Sequence, residues 1–143
     1  KNPSSLDGIN VQIEVVAKVK QVEKQTEEQS QALTLGNLAW KAFERGDYDK
    51  CLELSKKSIE LDNTFGYVQF NLALSYLITG QTTEATIAYA KAISVTKKSV
   101  IPKQTFEGAI NDLRTYMDKF PSKADAQDIL NLLTEEVKTI DNN

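Results

Sequence analysis

Cys51 is the only cysteine of this chain, and histidine is absent. Together these facts remove most catalytic chemistry. Without imidazole no side chain ordinarily titrates near neutral pH, and no Ser/His or Cys/His nucleophile pair can be assembled. His/Cys zinc sites and a disulfide framework go with it. A lone Cys packs as a small hydrophobe, so Cys51 reads as a structural residue rather than a reactive thiol. Glu27-Glu28 and Glu135-Glu136 are adjacent pairs. Adjacent residues do not face each other on a helix, so neither pair forms a shared-proton dyad or a metal cage. They read as solvated faces. Lys91, Lys97, Lys98 and Lys103 form a basic stretch with no acid between Glu84 and Glu107. Such a stretch suits an acidic tail or a lipid headgroup, but exposure with helix-dipole compensation by Lys97 and Lys98 is the simpler reading. The six glycines are scattered, leaving no phosphate-cradling loop. The expectation is no catalytic residue, no metal and no cofactor: not an enzyme.

What remains is a set of aromatic and large apolar side chains, and the elements that must hold them. A length of 143 residues suits one domain whose core needs neither disulfide nor metal. Apolar residues at 41% and charged residues at 26% place it among ordinary globular chains. A net charge of −3 speaks against a nucleic-acid partner. Apolar runs are only a few residues long, far short of the roughly 20 that span a bilayer, so no membrane span is expected. No signal peptide or lipidation motif is legible, and with Lys1 rather than Met at the start localisation stays unknown.

Gly46 and Gly80 lie 34 residues apart, and that offset also superposes Asn37 on Asn71, Leu38 on Leu72, Ala39 on Ala73, Lys57 on Lys91 and Ile59 on Ile93. Cys51 falls on Ala85 and Ser58 on Ala92, small on small. Each unit reads as two helices. Leu35, Leu38, Ala39, Ala42 and Phe43 recur at helical spacing, Gly46 ends that helix and Asp47 caps the next. The second helix carries Cys51, Leu52, Leu54, Ser58, Ile59 and Leu61 and stops at the Asp62-Asn63-Thr64 turn. Leu72, Ala73, Tyr76 and Leu77, then Gly80, then Ala85, Ala88, Tyr89, Ala92 and Ile93 repeat the scheme. The small residues let paired helices approach closely.

On these residues the chain resembles the tetratricopeptide repeat (TPR) family. The first unit supplies Leu38-Ala39, Gly46-Asp47-Tyr48, Cys51, Ser58 and Leu61-Asp62. The second supplies Leu72-Ala73, Tyr76, Gly80, Ala85, Tyr89 and Ala92. Ser55 stands where the family has an aromatic, and Asn63 and Lys97 where it has Pro. The resemblance covers residues 32–99 and implies an all-α fold, a right-handed stack of helical hairpins, with repeats at about 32–65 and 66–99. It also implies a concave groove lined by the first helix of each unit, here Leu33, Gly36, Trp40 and Phe43, then Tyr67, Phe70, Leu74 and Leu77, with Asn71 beside them. The expected partner-binding residues are Trp40, Phe43, Tyr67, Phe70, Asn71 and Leu74, while Leu72 belongs to the core. Family members that clamp an acidic C-terminal carboxylate use Lys and Asn where this chain has Gly36 and Trp40, and basic residues where it has Ile101 and Thr105. Only Asn71 matches, so a carboxylate clamp is not expected.

Beyond Lys98 the register breaks. Phe106, Ala109, Ile110, Leu113 and Met117 predict one amphipathic helix over 103–119. Ile129, Leu130, Leu133, Val137 and Ile140 predict another over 123–140, with Ser122 as its N-cap. The two, about 103–140, would cap the stack, since repeat arrays need atypical ends. At the other end Ile9, Val11, Ile13, Val15, Ala17 and Val19 alternate with residues that are polar except Val16. That alternation predicts a β-strand at 9–19; a helical stripe through Val15, Val19 and Val22 is the competing reading. The domain plan is therefore an N-terminal segment, 1–21, the strand or tail of a preceding domain, followed by the repeat domain, 22–143. A lone strand needs a partner, which a preceding domain or a homodimer through residues 9–19 would supply.

An apolar groove implies an occupant. The leading expectation is a non-catalytic interaction module that offers the groove to a peptide or protein. The alternative is a structural or oligomerisation domain, its groove or strand satisfied by self-association, by a preceding domain, or by the chain's own terminal segments.

Overall fold

The computed structural model describes residues 4–141, with side chains from Gly8 onward. Residues 1–3 of the expected N-terminal segment and 142–143 of the expected repeat domain lie outside the described residues. Six α-helices follow one another: α1 Ser4–Glu44, α2 Tyr48–Leu61, α3 Gly66–Ile78, α4 Thr82–Lys97, α5 Pro102–Thr115 and α6 Lys123–Asp141. A 3-10 turn, Met117–Lys119, precedes α6. No strand occurs among the described residues.

Local signals explain most of the boundaries. Gly46 (φ +83°) and Gly80 (φ +80°) take up left-handed backbone after α1 and α3, where a side chain would be strained. Asp47 Oδ1 accepts from the Lys50 amide at 3.2 Å and caps α2. After α2 the Thr64 amide donates to Asp62 Oδ1 at 2.9 Å, closing the expected turn. Pro102 starts α5 at a position where its missing N–H costs nothing. Ser122 Oγ accepts from the Asp125 amide at 3.2 Å, so it does cap α6.

Short connections make neighbouring helices pack in pairs. The C-terminal part of α1 packs on α2, α2 on α3, α3 on α4, and α6 on α5. The α5–α6 pair is seated on α3 and α4. Ala39, Cys51, Ser58, Ala73, Ala85 and Ala92 are all completely buried, as close helix approach requires. Ser58 also donates to the Ala32 carbonyl at 2.7 Å, tying α2 to the α1 backbone. Helix α3 is buried on nearly every face, with Val68, Phe70, Ala73, Leu74, Leu77 and Ile78 all inside.

Three expectations need correction. Residues 9–19 are helical, not a strand, and α1 runs unbroken through them instead of starting at Val22. A strand must borrow hydrogen bonds from a neighbour, whereas a helix closes its own and extends from the packed turns of α1 one bond per residue. The β-branched side chains oppose this by only a few tenths of a kcal/mol each, roughly. Next, the 103–119 helix ends at Thr115. Phe120 precedes Pro121 and is forced to extended backbone, so the chain turns and buries Phe120 instead of continuing as helix. Finally, Leu38 is 46% exposed and Leu72 only half-buried. Each lies one position off the stripe that faces the neighbouring helices, Ala39 and Ala42 in α1, Ala73 and Leu77 in α3.

Candidate functional site

A groove of about 500 Å³ opens between α1, α3 and α5. Helix α1 contributes Asn37 and Trp40, α3 contributes Tyr67, Phe70 and Asn71, and α5 contributes Gln104, Thr105, Gly108, Ala109, Asn111 and Asp112, with Ile101 ahead of it. Four of the six residues expected at a binding surface thus meet in one place: Trp40, Tyr67, Phe70 and Asn71. Phe43 and Leu74 do not line it. Phe43 is buried beneath Trp40, stacked on its ring at 5.0 Å and 6°, with Tyr48 and Tyr116 on its other sides. Leu74 is enclosed in the core.

Phe70 is groove floor and core at once. It is 4% exposed. Its ring lies 6.0 Å from that of Tyr89 and 5.9 Å from that of Phe106. The chain's own α5 therefore fills much of the apolar concavity and adds Gln104, Thr105, Asn111 and Asp112 to the lining of the open part.

Asn71 shapes that open part. It is 6% exposed, lines the groove, and makes no side-chain hydrogen bond to any described residue. The fully enclosed unpaired side-chain atoms are Ser75 Oγ and Thr96 Oγ1, not the Asn71 amide, which touches the open space. Buried amides are normally bonded, so this one is available to a ligand. Tyr67 stands opposite the close approach at Gly36, where an added Cβ would meet Val68 Cγ2 at 2.8 Å and the Tyr67 hydroxyl at 3.2 Å. Burial pushes the Tyr67 hydroxyl pKa up.

Asp112 is the residue that sequence reasoning missed. It lies three positions after Ala109, on the inward side of α5, and that placement of a carboxylate was its one signal. Burial, with the nearby Glu44 carboxylate as second cause, pushes its pKa up to about 6. Tyr116, beside Trp40 at 6.5 Å, is pushed up by burial and then by the Asp112 and Glu44 charges.

Elsewhere the chemistry is quiet. Cys51 is fully buried, its thiol pushed up by burial against weaker lowering from the neighbouring Ser75 and Ser55 hydroxyls. Among the described residues no cluster of His, Cys, Asp and Glu could hold a metal ion. Half of the basic stretch is answered by α6: Lys97 pairs with Glu136 at 3.1 Å and Lys103 with Asp141 at 2.9 Å. Lys91 and Lys98 instead border a second concavity of about 730 Å³, with Ile59, Phe65, Val95 and Val100. That surface is larger, but its buried amide is already partnered, Gln69 Nε2 donating to the Asn63 carbonyl at 2.9 Å. No described helix is long and apolar enough to cross a membrane. In comparisons with known proteins, no family model matches the chain and no curated protein matches it.

Proposed function

We propose that this chain is a non-catalytic protein–protein interaction module, a short TPR-like stack of two helical hairpins closed by the α5–α6 pair. Its ligand is a peptide or protein segment seated in the Trp40 groove. The observation that carries this reading is the Asn71 amide, buried to more than nine-tenths yet unbonded, in a groove walled by Trp40 and Tyr67. Aromatic walls supply contact area with few rotors to freeze, and an amide supplies the donor and acceptor that orient a peptide backbone. The 34-residue register and the buried small residues support the repeat assignment.

The test uses Gly108, beside which an added Cβ meets nothing within 4 Å. Peptides selected against the intact chain from a random displayed library should bind Gly108→Leu at least about tenfold more weakly, because the new side chain enters the groove. Selected peptides that ignore Gly108→Leu would place the binding surface elsewhere.

A second reading, self-association as a structural domain, is favoured by a separate observation. Ile9, Val11, Ile13, Val15, Val16, Val19 and Val22 are all about half exposed along α1. In this reading the 9–19 region pairs two copies as helices, and light scattering on the intact chain would give a dimer mass that deletion of residues 1–27 abolishes.

A further inference from the structure

One wall of the Trp40 groove carries a charge that the chain itself leaves unanswered. Asp112 lines the groove, and its carboxylate accepts no hydrogen bond from a described residue. Among the described ion pairs neither Asp112 nor Glu44 takes part. The charge that bears on Asp112 is that of Glu44, of the same sign. Lys119 Nζ lies over the Tyr116 ring, 5.9 Å from its centroid. The Trp40 indole, stacked on Phe43 at 5.0 Å, lines the same groove as Asp112. Deeper in the same groove is the unbonded Asn71 amide.

We propose that this end of the groove takes one basic side chain, Lys or Arg, of an extended peptide partner, held between the Trp40 indole and the Asp112 carboxylate while Asn71 bonds the peptide backbone. The inference rests on the interaction reading above and names the chemistry of its ligand. Three independent features converge on a cation. An aromatic face attracts it through the ring quadrupole. A carboxylate partly removed from water without a partner has lost solvation that a cation restores. A second carboxylate close by makes the local potential more negative, so neutral and acidic side chains gain less there than basic ones. The upward shift of the Asp112 carboxyl agrees, since it reports an anion held at a cost.

Trp40 is the only tryptophan, so its emission reports the groove directly. The intact chain is titrated with acetylated, amidated alanine pentapeptides carrying Arg, Met or Glu at the centre. The Arg peptide should bind about tenfold more tightly than the Met peptide, and the Glu peptide most weakly. Asp112→Asn should bring the Arg peptide down to the Met level, and Glu44→Gln should weaken it by about two- to threefold. Circular dichroism identical to that of the unsubstituted chain shows that both variants are folded. Met or Glu peptides that bind as tightly as Arg, or an Arg preference that survives Asp112→Asn, would overturn the cation assignment and leave the groove a peptide site. If no peptide of any charge changes Trp40 emission at millimolar concentration, both the assignment and the interaction reading fall.

Discussion

Truncating Phe70 and truncating Leu72 ask the same question of α3: which way does the helix face? Phe70 is 4% exposed, its ring between those of Tyr89 and Phe106 at about 6 Å from each. Removing a buried phenyl group costs about 3–5 kcal/mol, and lost aromatic pairs add to its upper end. The groove works the other way, because the open space above Phe70 lets water reach the vacated volume, so Phe70→Ala should cost about 3 kcal/mol. Leu72 sits half-buried with Tyr76 along the outer edge of α3. Only part of its side chain leaves water on folding, so Leu72→Ala should cost about 1–1.5 kcal/mol. The difference, about 2 kcal/mol, is well outside the error of a urea titration read at constant slope. Far-UV circular dichroism and Trp40 emission should report coincident transitions if unfolding is two-state. Should Leu72→Ala prove as costly as Phe70→Ala, α3 would be rotated by about one residue. The packing of α5 against Phe70 would then be wrong.

Two glycines should respond in opposite directions. Gly66→Ala drives a methyl group into Thr96 Oγ1, on a stiff, fully buried neighbour, and should lower stability by about 1–3 kcal/mol. Gly108→Ala meets nothing within 4 Å inside α5 and should raise stability by about 0.5–1 kcal/mol in the same denaturation assay. Asp112 should give a pH dependence of known sign. Its carboxyl is raised from 3.8 to about 6, so the folded chain binds the proton more tightly and this group's stability falls as pH climbs from about 4 to 6. Asp112→Asn should remove that slope and stabilise the chain at pH 7 by about 1 kcal/mol, a figure reduced for the carboxyl's partial exposure. Deleting residues 1–27 should lower the helical signal yet leave the urea midpoint of the monomer unchanged, because every described side chain from Gly8 to Glu27 is exposed. A lowered midpoint in the monomer would mean that this part of α1 packs on the rest.

Several local features were settled by the sequence alone, since each depends on a residue and its near neighbours. Gly46 and Gly80 had to follow a helix, because only glycine takes positive φ freely. Asp47 and Ser122 had to cap, because their short oxygens reach the amide three residues on. Small residues at Ala39, Cys51, Ser58, Ala73, Ala85 and Ala92 announced close helix contacts, since larger side chains would hold the axes apart. The tertiary structure decided what a one-dimensional pattern leaves degenerate. Helix α3 is apolar around most of its circumference, so its periodicity left the rotation open, and packing of α4 and α5 put Phe70 inside and Leu72 at the edge. The alternating valines of α1 favoured a strand by pattern alone, but no partner strand occurs among the described residues and helix propagation took them over. Asp112, Trp40 and Asn71 come from three helices, and only the seating of α5 against α3 and α1 brings them to one groove and sets Glu44 near enough to bear on Asp112. Their meeting depends on distance in space, which spacing along the chain does not encode.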